Sequence, residues 1–165
     1  MPRLRSSKQS KPRGRVALRE LGRADVTARY HRWLRQSEVC RWIRTKPSTL
    51  AGLRRYVLAQ RRNPHVMFWG IFAGGRHVGN IKAEHQHGVE GHVAVLGLLI
   101  GEGRGKGYGT AAIRLATAWC FYHWKVKRVE AGLHPRNWGS ARAFEKAGYA
   151  ILWPERVWAV KSTPC

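Results

Sequence analysis

An α/β fold follows from three features of this 165-residue sequence: a central mixed, mostly antiparallel sheet of six to seven strands with helices on both faces. Segments with strand-like alternation and segments with helical periodicity interleave in the order βααβββαβαββ, which layers helices on a sheet. The run VAVLGLLIG, beginning at Val93, is apolar almost throughout, as expected of a strand covered on both sides. It is followed by a glycine-rich loop, a helical segment and the strand-like KRVEAGLH, an arrangement that sets two strands parallel.

Each element has its own local reason. RVALREL (15–21) alternates and predicts a strand. Asp25 or Thr27 caps a helix predicted through ARYHRWLRQSEVCRWI, where Tyr30, Trp33, Leu34, Val39 and Ile43 recur at roughly helical spacing. Ser48 or Thr49 starts a second helix, TLAGLRRYVLAQRR, which Asn63-Pro64 closes. HVMFWGIFAGGRHVGNIKAEH holds two β-rich runs around Ala73-Gly74-Gly75, a hairpin signal. TAAIRLATAWCFYHW has apolar residues at helical intervals, and NWGSARAFEKAGY is a short helix from Asn137 that Gly148 stops. ILWPERVWAVK predicts a closing hairpin around Pro154-Glu155.

The length suits one domain, residues 16–165, behind a basic tail, 1–15, that carries six Lys or Arg and no acid. The whole chain has 31 Lys plus Arg against nine acids, a formal charge of +22 that favours anionic partners, and the tail offers contact with nucleic acid or the ribosome. Cys40, Cys120 and Cys165 stand far apart, which argues against a disulfide framework or zinc knuckle and for a reducing, cytoplasmic setting. The start lacks the apolar core of a secretory signal, and no apolar run is long enough to span a bilayer. His85 and His87 share one strand face, but two ligands without a third read as a polar strand end, so no metal is expected.

The stretch RGKGYGTAAIRLA, Arg104 to Ala116, carries the chemistry. Glycines let a backbone approach a ligand closely, and a helix starting near Gly109 turns its first amides back on the loop. With the helix dipole these amides make an anion site suited to a pyrophosphate. A Walker A loop is excluded, since Lys106 is followed by Gly107 and no Gly stands five residues before Gly105. Gly107 to Ala112 fits a dinucleotide fingerprint, with Glu130 near the place of a ribose-binding acid, but too little chain follows for the parallel units that fold needs.

Arg104-Gly105-Lys106-Gly107-Tyr108-Gly109 also fits a Q/R-x-x-G-x-G/A element, and HPRNWGSARAFEKAGY (134–149) supplies a second signature at the spacing of one helix and one strand. On these two motifs the chain resembles the GNAT superfamily of N-acetyltransferases. LRELGRADVTARYHRWLRQSEVCRWI, together with HVGNIKAEH, is similar to the subgroup of ribosomal-protein N-terminal and bacterial amino-sugar acetyltransferases. The resemblance implies a sheet splayed between two parallel central strands, with acetyl-coenzyme A as co-substrate. It implies that the amides of Gly105, Lys106, Gly107, Tyr108, Gly109 and Thr110 hold the pyrophosphate, with Arg104 and Lys106 beside it. The backbone of Leu98, Leu99 and Ile100 would meet the pantetheine arm and the thioester oxygen, with Asn137 and Ser140 across from it.

The implied reaction is direct transfer of an acetyl group to a primary amine in a ternary complex. The acceptor is a small molecule, such as a nucleotide-linked amino sugar, or a protein N-terminus. The chain departs from the family pattern twice: Val95 stands where relatives often carry an acid, and Phe144 where they carry a tyrosine. Glu130 and His134 are then the candidates to handle the amine proton, with Glu84 behind them. Glu102, in an anion loop, is expected to point away. The two departures leave a non-catalytic module for acetyl-coenzyme A or nucleic acid as the alternative, and a homodimer is compatible with either reading.

Overall fold

The structure is a computed structural model and describes residues 14–87, 92–152 and 157–162. Its strands are β1 (Val16–Glu20), β2 (Val66–Ala73), β3 (Arg76–Gln86), β4 (Val93–Ile100), β5 (Arg128–Leu133), β6 (Ala150–Leu152) and β7 (Val157–Ser162). Its helices are α1 (Ala28–Trp33), α2 (Ser37–Cys40), α3 (Leu50–Arg62), α4 (Tyr108–Trp119) and α5 (Trp138–Lys146), and α4 runs on into a π-helical turn, Cys120–Trp124. The strands form one seven-stranded sheet in the order β1-β2-β3-β4-β5-β7-β6, so the last strand inserts beside β5 and leaves β6 at the edge. All but one of the pairings are antiparallel.

The exception positions the site. β4 pairs with β3 along its whole length, from Gly79↔Ile100 to Gln86↔Val93. It pairs with β5 in parallel over Val93↔Arg128, Ala94↔Val129 and Val95↔Glu130 only. Beyond Val95 the two parallel strands part, and a cleft opens between Leu96–Ile100 of β4 and the end of β5.

Side chains alternate across each strand, so the sheet has two apolar faces. One packs Leu21, Tyr30, Trp33, Leu53, Val57 and Phe68 under α1 and α3. The other packs Ile71, Ile81, Leu96, Ile113, Ala116 and Phe144 under α4 and α5. The β2–β3 hairpin turns through Gly74 and Gly75, both left-handed (φ 57° and 78°), as a two-residue turn of this type requires. Thr49 caps α3, its Oγ1 accepting the Gly52 amide at 3.0 Å, and Asn63 ends it.

The first predicted helix is broken in two. Thr27, not Asp25, caps α1; Asp25 instead accepts the Gly22 amide and pairs with Arg19 at 2.7 Å. The Arg35 and Gln36 amides bond back to Arg32 and Trp33, Gln36 turns extended (ψ 130°), and α2 restarts from it. Leu34 and Val39 are both buried. Five residues of continuous helix would set them about 140° apart, so the chain must break to bury both. The tail expected at 1–15 and the turn at Pro154-Glu155 lie outside the described residues, apart from Gly14 and Arg15. Among the described residues no helix is long and apolar enough to cross a membrane.

Candidate functional site

The loop from Gly101 to Gly107 joins β4 to α4. Gly103, Gly105 and Gly107 adopt left-handed φ of 69°, 77° and 84°, and Gly107 is the residue from which α4 starts. The first-turn amides of Gly109 and Thr110 in α4 have no acceptor within the helix. A Cβ on Gly105 or Gly107 would meet nothing within 4 Å, so the backbone there borders open space. Tyr108 turns the other way: it is buried, and its ring lies 2.5 Å from where a Cβ on Gly103 would stand. The loop and α4 border a cavity of about 520 Å³ that Leu98, Leu99, Ile100, Asn137, Ser140 and Arg142 also line.

Of the predicted cations, the structure brings Arg104 to this cavity and leaves Lys106 exposed outside its lining. Arg104 is engaged by Glu38 of α2, Nη1 donating to Oε2 at 2.9 Å, and its Nε donates to the Ile100 carbonyl at 3.2 Å. An anion recruiting Arg104 competes with Glu38 for it. Arg142 and Lys146, one turn apart on α5, line the same cavity.

Glu102 points away from the anion side, as its charge required. Its carboxylate accepts from Arg29 at 2.6 Å, Arg76 at 2.7 Å and the Trp33 indole N–H at 3.3 Å. Burial opposes its ionisation, but the hydrogen bonds from Arg76, Trp33 and Arg29 outweigh it and hold the carboxyl below its ordinary range. A carboxyl with a depressed folded pKa stabilises fully above the unfolded value of about 4.3 and loses that contribution as pH falls through the folded one. The melting temperature is expected to fall as pH drops below about 4.3, and Glu102→Gln to start lower and fall less over that window, read by thermal melts from pH 7 to 3.

A second cavity, of about 280 Å³, continues from the first past Trp42, Ile43, Leu98, Leu99, Asn137 and Ser140, which line both. Its walls include Tyr30, Tyr56, Phe68, Arg44, Asn80, Lys82, Gly132, His134 and Phe144, and among the described residues no carboxylate lines it. Asn80 is 2% exposed; its Oδ1 bonds His77 Nε2 at 2.8 Å, while its Nδ2 is buried with no partner. Lys82 pairs with Glu84. Burial alone would lower the Lys82 pKa; the Glu84 hydrogen bond, with Tyr56 close by, outweighs this and raises it, so the ammonium stays charged.

The two candidate proton carriers part company. His134 lines the second cavity against the Trp42 ring, 4.8 Å between centroids. Its Nδ1 accepts the Arg136 amide at 3.1 Å, so the neutral ring carries its proton on Nε2. Glu130 lines neither cavity and accepts from Arg128 Nε at 2.5 Å. Glu84, Val95 and Glu130 sit abreast on three strands, with the apolar Val95 between the two paired acids. Asn137 both caps α5, accepting the Ser140 amide at 3.2 Å, and lines both cavities.

Sequence reasoning missed the walls that come from afar. Glu38, Trp42 and Ile43 reach the site only because the first helix breaks, and Tyr56 arrives from α3. The readable signal was Asn80, an amide set between Gly79 and Ile81 in the buried middle of β3. Trp138 and Tyr122 are 61% and 70% exposed. Tyr149 is in the core, its hydroxyl 2.5 Å from Thr117 Oγ1.

A family model described as an acetyltransferase (GNAT) domain matches residues 15–150. The chain belongs to the GNAT acetyltransferase family. The acetyltransferase class and the acetyl-coenzyme A co-substrate that the motifs implied are those of this family. Among solved structures, this GNAT chain is similar to Mycobacterium smegmatis RimJ in complex with CoA-disulfide, with a TM-score of 0.78 and 21% identity over 92% of this chain and 83% of that one. It is also similar to the aminoglycoside acetyltransferase AAC(6')-Ib in complex with coenzyme A, with a TM-score of 0.72 and 24% identity over 90% and 95% of the two chains. The probable N-acetyltransferase YjcK of Bacillus subtilis (strain 168) is 51% identical over 45 residues, which span 27% of this chain and 25% of that protein.

Proposed function

We propose that this GNAT enzyme moves the acetyl group of acetyl-coenzyme A, by direct attack in a ternary complex, to a primary amine on an acceptor that also carries an anionic, oxygen-rich group. A nucleotide-linked amino sugar is the nearest such chemistry. The observation that carries this reading is the second cavity. Asn80 Nδ2 is a buried donor without a partner, Lys82 and Arg44 are cationic, and no carboxylate among the described residues lines the walls. A buried donor left unsatisfied costs about 1–3 kcal/mol, which an acceptor oxygen relieves. A polycationic aminoglycoside finds no counter-charge among the described walls.

The open glycine backbone fits a pyrophosphate: Gly105 and Gly107 leave the space a side chain would fill, next to the helix N-terminus. Bound there, acetyl-coenzyme A supplies an activated thioester. The β4 edge past Val95 offers backbone from Leu98 to Ile100 to an extended arm, much as an added strand would be held. His134, with its proton on Nε2, can donate a hydrogen bond to a departing thiolate, which takes its own proton from water. The amine reaches the cleft neutral through its own titration, and Glu130 stays with Arg128.

The remaining features fit a single domain over 16–165 in the cytoplasm, where Cys40 and Cys120 keep free thiols. A basic tail able to meet nucleic acid or the ribosome completes the reading.

Thiol release from acetyl-coenzyme A tests the proposal against nucleotide-linked amino sugars, peptides with free N-termini and aminoglycosides. The expected order of kcat/KM is that order, with Lys82→Glu lowering the first and sparing the last. An aminoglycoside ranked first overturns the acceptor assignment, and coenzyme binding without release from any amine leaves a binding module. In the same assay His134→Ala is expected to lower turnover about 10²-fold with coenzyme affinity kept, and Glu130→Gln to leave turnover within about threefold.

A further inference from the structure

At the end of the sheet opposite the anion loop, three strand ends bring histidines together. His65 immediately precedes β2, His85 and His87 lie at the end of β3, and the side chains of all three fall on the face that α4 covers. One ring nitrogen from each lies within 4.8 Å of the others. His87 Nε2 and His65 Nδ1 are 2.8 Å apart, and the His85 and His87 ring centroids are 4.1 Å apart. The sequence showed only the His85–His87 pair; the β2–β3 register, with Val66 opposite Glu84, adds the third donor.

The cluster is built rather than incidental. Trp124, carried over this face by the π-helical turn, stacks on His85 at 5.1 Å and 15°, and Trp119 braces Trp124 edge-on at 5.0 Å. His85 Nε2 is buried and has no hydrogen-bond partner. His92, held at a left-handed φ of 49°, brings a fourth ring to 5.7 Å from His85. A buried imidazole nitrogen without a partner, facing two more imidazoles, lacks what a metal ion would supply.

We propose that His65, His85 and His87 form a site for one divalent transition-metal ion of the zinc class, separate from the acetyl-transfer cleft. Three neutral imidazoles without a carboxylate or thiolate select zinc, nickel or copper over magnesium and calcium, which take oxygen ligands. Zn–N bonds of about 2.0–2.1 Å set tetrahedral donors about 3.4 Å apart, so the rings need only modest rotation from their present spacing, and water or His92 takes the fourth position. The bound ion ties the start of β2 to the end of β3, so its effect is on stability.

The test uses the full chain without a purification tag, stripped by a chelator and titrated with ZnCl₂ at pH 7.5 against a chromophoric competitor, with thermal melts alongside. One equivalent is expected to bind with a Kd in the micromolar range or below and to raise the melting temperature, while MgCl₂ does neither. His65 and His87 are exposed, so His65→Ala and His87→Ala are expected to fold as the parent does by circular dichroism. Each is expected to weaken zinc at least about tenfold, while His31→Ala, remote from the cluster, leaves it unchanged. Zinc affinity unchanged in the His65→Ala/His87→Ala double variant, or no binding tighter than millimolar by the parent, overturns the site.

Discussion

Gly107→Asp is expected to abolish measurable binding of acetyl-coenzyme A while leaving the fold in place. Gly107 has φ 84° and starts α4. Asp is one of the few side chains that visit the left-handed region, and it is among the best helix N-caps. A Cβ there would meet nothing within 4 Å, so the new side chain has room. What changes is charge: a carboxylate would stand at the helix N-terminus, engage the Gly109 and Thr110 amides and repel a pyrophosphate. The expected loss is about 10²-fold or more, some 2.7 kcal/mol, read by calorimetric titration and by a vanished coenzyme-induced shift in melting temperature. Gly107→Asn keeps the shape, the cap and the φ tolerance without the charge, so its loss is expected to be much smaller. Equal losses in the two variants would assign the effect to shape; an unchanged affinity in Gly107→Asp would remove the anion site from this loop.

How legible the site was depended on how far apart in sequence its parts lie. The anion end is contiguous, β4 to α4, and backbone conformation decides it. Glycines at left-handed positions and a helix start were therefore readable in order from Gly103 to Thr110. The direction of Glu102 was readable too, because a carboxylate cannot share a pocket with a phosphate. The acceptor end is assembled from α1, residues 42–45, α3, β3 and the end of β5, and no local pattern marks Tyr56, Lys82 or Trp42 as neighbours.

The sheet itself was legible because its strands are patterned at period two and its hairpin by Gly74-Gly75. The split between α1 and α2 was written in the five-residue gap from Leu34 to Val39, which one helical face cannot hold. The insertion of β7 beside β5 is a long-range pairing that periodicity does not encode. Glu130 sits where sequence reasoning put it, on β5 beside the central strand. Arg128, two residues back on the same face, claims its carboxylate. The departure at Phe144 reads differently in three dimensions: the ring is buried, lines the acceptor cavity and meets Tyr149 edge-on at 5.0 Å, so it shapes that wall.

The largest loss of stability is expected from the smallest change, Gly101→Ala at the end of β4. A Cβ on Gly101 would stand 2.1 Å from Trp33 Cδ2 and 2.5 Å from two further ring atoms. Neither side can yield cheaply. The Gly101 amide donates to the Val78 carbonyl at 2.9 Å, which fixes the strand end. Trp33 is 2% exposed, its ring meets Tyr30 at 5.7 Å and His77 at 5.0 Å, and its N–H donates to Glu102. Overpacking of this kind costs typically 1–3 kcal/mol and more where nothing relaxes, so a loss of about 3 kcal/mol is expected. For a chain of this length that lowers the melting temperature by about 10 °C. The cause is separable by a double-mutant cycle: in a Trp33→Leu background the added methyl finds space, and Gly101→Ala is expected to cost less than half as much. An Ala variant that melts within about 2 °C of its parent would mean that the indole does not lie against the strand end. Because Gly101 adjoins Glu102 and opens the anion loop, this contact also fixes where the loop begins. The Ala variant should therefore weaken coenzyme binding as well as stability, whereas Gly107→Asp weakens binding alone.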